Sequence, residues 1–164
     1  MAISLAKGAN VNLAKEAPGV FKFRIGLGWD ARATDGEKVH ASGAITYNGD
    51  NRTGEGEGDD ETISIDTSKM PADIQKVAFT CTIDMAVERR QNFGMVNNAY
   101  IRIVDENTDT EIARFDLSED FSVETAMIFG ELYLHNGEWK FKAIGQGFSA
   151  GLAGLCGNFG VDAA

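Results

Sequence analysis

Hydrophobic and polar residues alternate along much of this chain with a period of two, which is typical of half-buried β-strands. The alternation is clear at 20–25, 62–66, 100–104 and 111–115, and a longer run at 77–83 is largely apolar. Glycine-rich or polar segments separate these runs, as they commonly do between strands. The pattern predicts a mainly β protein, folded as a two-sheet β-sandwich with one or two short helices.

The clearest local feature is a β-hairpin centred on Asn136-Gly137. Residues 127–133 lead into this pair and residues 138–144 follow it. Asn-Gly is the preferred pair for a type I′ turn, whose twist matches that of the flanking strands. In the return strand, Trp139, Phe141 and Ala143 are expected on one face because successive side chains point to opposite faces.

Two segments are candidates for the short helices. Asp84 is a candidate N-cap for residues 85–91, and residues 148–156 form a glycine-diluted segment near the C-terminus. The chain has 164 residues, of which 43% are hydrophobic, and no repeat or proline-rich linker divides it. We therefore expect a single domain over residues 1–164.

The charge balance excludes some classes of partner. The chain carries 25 acidic and 15 basic residues, a formal net charge of −10. Nucleic acids bind through Lys and Arg side chains that neutralise phosphates, so we expect no nucleic-acid partner. Bare anionic membrane surfaces are disfavoured for the same reason.

Residue types used in common catalytic sites are scarce. The chain has two histidines, His40 and His135, and two cysteines, Cys81 and Cys156. They form no recognisable triad, zinc-ligand spacing or disulfide framework, and Cys81 lies in an apolar run that suits a core residue. Because no catalytic constellation is evident, we expect a protein that is not an enzyme. No signal peptide and no apolar run of about 18 residues is evident, so we also expect it to be soluble and cytoplasmic.

The most unusual segment is residues 48–61, called here the acidic segment. It contains six carboxylates, four glycines and one arginine within fourteen residues. Carboxylates this close repel one another, and glycines let the backbone turn so that oxygen atoms point at one place. Calcium takes 6–8 oxygen ligands and suits such a segment.

A solvated loop is the alternative interpretation of the same composition. Acidic, glycine-rich loops are more often solvated turns than cation sites. An EF-hand is excluded: with Asp50 at position 1, Arg52 and Gly54 occupy positions 3 and 5, and Glu55 occupies position 6, which needs glycine. A calcium site here would be of another type, with ligands from elsewhere in the fold.

Ordered motifs along the chain resemble the TerD family of tellurite-resistance and stress proteins. The most distinctive string is Gly49-Asp50-Asn51-Arg52-Thr53-Gly54-Glu55-Gly56-Glu57-Gly58-Asp59-Asp60-Glu61. The other matching segments are 4–11, Gly26-Leu27-Gly28-Trp29-Asp30, 91–94, 113–120, 124–133, 135–141 and 145–148. The resemblance covers almost the whole chain.

This resemblance implies a calcium-binding β-sandwich that serves in bacterial resistance to tellurite, phage, colicins or other chemical stress. The implied partners are calcium ions and other tellurite-resistance proteins, including a membrane-embedded one, with work at the inner face of the membrane. Carried onto this chain, the implied oxygen ligands are Asp30, Asp50, Asn51, Glu55, Glu57, Asp59, Asp60 and Glu61. The carbonyl oxygens of Gly54 and Gly56 are further candidate ligands.

The chain departs from the family after residue 36. Family members carry a Phe-Asp-Leu-Asp-Ala-Ser stretch and about two strands where this chain has only residues 37–48. The shortening removes expected calcium-binding aspartates and a part of a sheet. It motivates a second hypothesis, a self-assembling structural subunit whose sheet is completed by a neighbouring chain. A third, a metal-assisted hydrolase, lacks an evident base or nucleophile.

Overall fold

Two β-sheets pack face to face in the computed structural model, which describes residues 2–28, 38–50, 58–96, 98–117, 121 and 123–162. The strands within this part of the chain are β1 (Ile3–Ser4), β2 (Asn10–Asn12), β3 (Lys22–Gly28), β4 (Lys38–Val39), β5 (Ile45–Asp50), β6 (Glu61–Asp66), β7 (Lys76–Thr82), β8 (Tyr100–Asp105), β9 (Thr110–Asp116), β10 (Ala126–His135) and β11 (Glu138–Phe148). The helices are α1 (Leu13–Glu16), α2 (Ala86–Arg89) and α3 (Gly151–Asn158), and 3₁₀ turns cover Thr67–Lys69 and Phe93–Met95.

The larger sheet, sheet A, has the strand order β1-β9-β8-β3-β6-β5-β4. All of its neighbouring strands run antiparallel except β1 and β9, which are parallel. The smaller sheet, sheet B, has the order β2-β11-β10-β7 and is antiparallel throughout. The predicted mainly β, two-sheet fold is therefore confirmed.

The core fills the space between the sheets because alternate residues of both sheets point inward. Phe23, Ile25 and Leu27 of β3 are at most 2% exposed, and Phe141 of β11 is completely buried. Aromatic rings join the strands of sheet B, with the Phe79 and Phe141 ring centroids 6.3 Å apart. Burial of these faces supplies most of the stabilisation of such a sandwich.

The predicted hairpin at Asn136-Gly137 is confirmed. Both residues have positive φ angles, 53° and 74°, as a type I′ turn requires. Strands β10 and β11 close on this turn, with His135 paired to Glu138. Phe141 and Ala143 face the core together, at 0% exposure each.

Both predicted short helices are present: α2 lies within residues 85–91, and α3 overlaps the predicted segment 148–156. Helix α1 was not predicted; it is one turn long, too short for a periodic pattern, and the Asn12 side chain accepts hydrogen bonds from Ala14 and Lys15 at its start. The prediction that Asp84 caps α2 is wrong, since the N-cap residue is Met85, in the left-handed conformation and with no side-chain hydrogen bond. Within the described residues, none of the helices has the length and apolar character needed to cross a lipid bilayer.

Candidate functional site

Strands β5 and β6 flank the acidic segment and bring its two ends together. Asp50 at the end of β5 pairs in register with Glu61 at the start of β6. The described part of the segment is its two ends, residues 48–50 and 58–61, and the side chain of Asp50 lies outside what is described. Four predicted ligands, Asp30, Asn51, Glu55 and Glu57, also lie outside the described residues.

Asp59 is held by two side chains of β8. Arg102 donates from Nε to Oδ1 of Asp59 at 2.7 Å and from Nη2 to Oδ2 at 2.9 Å, the fork geometry typical of an Arg–carboxylate pair. The Tyr100 hydroxyl donates its proton to two acceptors, Asp59 Oδ1 at 3.0 Å and the carbonyl oxygen of Gly58 at 2.9 Å. The side chain of Asp59 is consequently 3% exposed.

Two glycines of β3 make room for this arrangement. Gly26 pairs with Arg102 and Gly28 with Tyr100 across the sheet, on the face turned away from the core. A Cβ atom at Gly26 would lie 2.2 Å from the Asp59 carboxylate carbon, and one at Gly28 would lie 2.0 Å from the Tyr100 ring. We call Gly26 and Gly28 the glycine notch. Leu27 between them points into the core. The Gly-Leu-Gly motif therefore fills the core on one face of β3 and leaves room for Asp59 and Tyr100 on the other.

A second cation completes the polar network around Tyr100. The Arg114 guanidinium lies 3.8 Å from the centroid of the Tyr100 ring, a cation–π contact, and also pairs with Asp116 at 2.8 Å. Burial raises the pKa of Tyr100 to about 12, and the adjacent negative charge of Asp59 acts in the same direction. The hydrogen bonds to Asp59 raise the pKa of Arg102. Tyr100 therefore stays a neutral donor at physiological pH.

Asp59 and Glu61, two residues apart in the acidic segment, lie on different faces of sheet A. Glu61 pairs with Leu27, whose side chain is in the core, so register places Glu61 on the inner face. Burial, followed by the negative charge of Glu61, raises the pKa of Cys81 in sheet B to about 12. Asp59 lies above Gly26 on the outer face. Cys81 packs against the core, as the sequence predicted.

The described carboxylates do not converge on one point. Among the residues that the structure describes, no group of three or more His, Cys, Asp or Glu side chains is placed to hold a metal ion. The donor chemistry of the whole acidic segment still fits calcium, since its candidate ligands are all oxygen atoms. Asp59 fits least well, because Arg102 and Tyr100 already engage both of its oxygens.

The alternation of β8 was the only sequence signal for this network. Tyr100 and Arg102 alternate with buried Ile101 and Ile103, which marks them as outward-facing residues of a strand. Nothing local in the sequence connects them to Asp59, because the contact depends on how β3, β6 and β8 align. Both were therefore missed as site residues.

Comparison with known proteins decides the family. The sequence profile of the TerD domain matches residues 1–41 and 36–159, which is nearly the whole chain. The chain belongs to the TerD family. The expectation drawn from the sequence motifs is confirmed.

Curated relatives show the same relationship. The chain is 47% identical to tellurium resistance protein TerD of Serratia marcescens over 191 aligned positions, which cover 99% of this chain and all of the relative. It is 56% identical to chemical-damaging agent resistance protein B of Clostridium acetobutylicum over 123 residues, 75% of this chain and 88% of the relative. Members of this family are thus named for resistance to tellurium and to chemical damage.

A solved structure supports the fold. The crystal structure of a homologue of telluride resistance protein (TerD) from Streptomyces coelicolor A3(2) superposes with a TM-score of 0.62. The match covers 88% of this chain and 100% of that one at 19% identity. At this identity the likeness concerns the fold alone.

The internal shortening is also evident from these comparisons. The TerD profile matches in two pieces that meet at residues 36–41, where the sequence departs from the family pattern. The alignment with the Serratia protein spans 191 positions, against 164 residues in this chain. The relative therefore carries a segment that this chain lacks.

Proposed function

We propose that this protein is a calcium-binding module of the bacterial response to tellurite and other chemical stress. Its acidic segment supplies the oxygen ligands, from Asp50, Asn51, Glu55, Glu57, Asp60 and Glu61, with Asp30 as a contributor. The module acts by binding rather than by catalysis. It works in the cytoplasm, at the inner face of the membrane, beside other tellurite-resistance proteins that include a membrane-embedded partner.

One observation carries the proposal. Pairing of Asp50 with Glu61 brings the two described ends of the acidic segment together on the adjacent strands β5 and β6. Only one arginine, Arg52, lies within the segment to offset six negative charges. A divalent cation relieves that repulsion most effectively, and oxygen donors favour calcium. The family names support the stress-response part of the proposal.

Calcium is expected to bind the protein and to raise its melting temperature. A ligand that binds only the folded state adds about 2.7 kcal/mol at 100 times its dissociation constant. For a domain of this size that corresponds to a rise of about 5–10 °C. Calorimetric titration with calcium, together with melting curves in chelator and in excess calcium, measures both quantities.

Two double variants test whether the acidic segment is the calcium site. The change Glu57→Gln with Asp60→Asn removes two candidate ligands and should abolish most of the calcium-induced rise. Asp73→Asn with Glu88→Gln removes the same charge from two exposed positions elsewhere and should leave the rise intact. Equal loss in both variants, or no binding heat in the wild type, would contradict the proposal.

A second candidate function is self-association through sheet B. Among the described residues sheet B has four strands against seven in sheet A, and β7 pairs only with β10. The seven-residue edge of β7 presents backbone donors and acceptors to which another strand can add. A second copy of this chain is the proposed occupant.

Self-association predicts a concentration-dependent dimer or larger assembly. Sedimentation velocity between micromolar and millimolar protein, with and without calcium, should show the sedimentation coefficient rising with concentration. Thr80→Lys, which adds a charge to the β7 edge at an exposed position, should weaken the assembly. A wild-type protein that stays monomeric at every concentration would exclude this function.

A further inference from the structure

Among the described residues of the acidic segment, Asp59 has an enclosed side chain, with 3% exposed. A carboxylate removed from water is stable only where protein donors replace its hydration. Arg102 and Tyr100 provide those donors, and the fork of Arg102 engages both oxygens at once. A calcium ion bound to the same oxygens would lie close to a guanidinium of like charge, which disfavours it.

The residues on either side of Asp59 are also bound to sheet A. The Gly58 carbonyl accepts a hydrogen bond from the Tyr100 hydroxyl at 2.9 Å. The backbone N–H of Asp60 donates to the carbonyl oxygen of Leu27 at 2.9 Å. Three successive residues are thus attached to β3 and β8 before the chain enters β6.

We propose that Asp59 is a positioning residue and not a calcium ligand. Together with Arg102, Tyr100 and the glycine notch, it fixes residues 58–60, the C-terminal end of the acidic segment. The role of Asp59 in calcium binding rests on the proposed function. The hydrogen bonds that attach residues 58–60 to sheet A do not require calcium. Ordering the segment beforehand lowers the entropic cost of binding and so raises affinity.

The two roles of Asp59 predict opposite effects of removing Arg102. If Asp59 is a positioning residue, Arg102→Gln releases the segment and weakens calcium binding by about tenfold, the size of one lost charged hydrogen bond. If Asp59 is a ligand, the same change removes a competing cation and tightens calcium binding. Calorimetric titration of the variant therefore distinguishes the roles by the direction of the change.

Hydrogen exchange in chelator tests the attachment independently of calcium. In the wild type, the amide of Asp60 should be protected by its bond to Leu27. In Arg102→Gln, exchange at this amide should accelerate by about tenfold or more as the segment opens locally. Arg102→Lys keeps the charge without the fork geometry and should give an intermediate rate.

Arg24→Gln is the matched control. Arg24 lies on β3, the same sheet as Arg102, and pairs with Asp109 in the β8–β9 turn rather than with residues 58–60. Arg24→Gln removes the same charge as Arg102→Gln and should change neither calcium affinity nor hydrogen exchange at the Asp60 amide. Parallel effects in Arg24→Gln and Arg102→Gln would overturn the proposal, because they would reflect net charge alone.

Other outcomes are equally decisive. Tighter or unchanged calcium binding in Arg102→Gln would overturn the positioning role. Unchanged exchange at Asp60 would overturn the attachment itself. Absence of calcium binding in the wild type would refute the proposed function, while faster exchange in Arg102→Gln would still support the attachment of residues 58–60 by Asp59.

Discussion

Phe141→Ala is expected to lower the free energy of unfolding by about 3–5 kcal/mol, as for other fully buried Phe→Ala changes. Phe141 is completely buried, and its ring centroid lies 6.3 Å from that of Phe79 on the edge strand of the same sheet. The ring also fills the space above Gly130, where a Cβ atom would lie 2.5 Å from the Phe141 ring. Its removal leaves a cavity that these neighbours cannot close. Urea unfolding followed by tryptophan fluorescence measures the loss.

Phe21→Ala is the matched control for this change. The Phe21 side chain is 56% exposed, so its truncation removes little buried surface. The expected loss is below about 1 kcal/mol, as for most exposed positions. Similar losses for Phe141→Ala and Phe21→Ala would show that the two sheets do not enclose the core described above.

Features set by local chemistry were predictable from the sequence. Asn136-Gly137 defines its turn because those two residues tolerate positive φ, and the alternation around Phe141 follows from the period of a strand. The two-sheet fold follows from many such alternating segments. In contrast, Asp84 has the chemistry of an N-cap, but Met85 adopts the left-handed conformation and takes that position.

The polar network was not predictable because it depends on strand register. From the sequence, Gly26-Leu27-Gly28 was recognised as part of a family motif, and Asp59 as one carboxylate among several. Their contact requires β3 to lie between β6 and β8, a non-local arrangement. Asp59 precedes β6 and lies on the outer face, whereas Glu61, two residues later, begins β6 and is placed on the inner face by its pairing with Leu27. Composition alone suggested one convergent group of ligands.

Filling the glycine notch is expected to have the second-largest effect on stability. In the double variant Gly26→Ala with Gly28→Ala, the new methyl groups would overlap the Asp59 carboxylate and the Tyr100 ring. Each overlap costs about 1–3 kcal/mol, and because both act on one network we expect a combined loss of about 2–4 kcal/mol. Urea unfolding in chelator gives this value without any contribution from calcium.

The double variant should lose stability because the two new methyl groups would displace Tyr100 and Asp59 from their contacts. The Tyr100 ring would overlap a methyl group at Gly28 and lies 3.8 Å from the Arg114 guanidinium, so moving the ring away from Gly28 disturbs the cation–π contact. Asp59 is at the end of a short side chain, and its displacement breaks the fork with Arg102. The double variant should therefore also lose protection of the Asp60 amide, as Arg102→Gln does.

Gly58→Ala is the control for the glycine notch. A Cβ atom at Gly58 has no neighbour within 4 Å, although the residue lies in the same attached segment. Its substitution should change the free energy of unfolding by less than about 0.5 kcal/mol, as at open surface sites. A double variant as stable as Gly58→Ala would mean that Asp59 and Tyr100 do not occupy the outer face above β3. Calcium affinity would then owe nothing to the glycine notch.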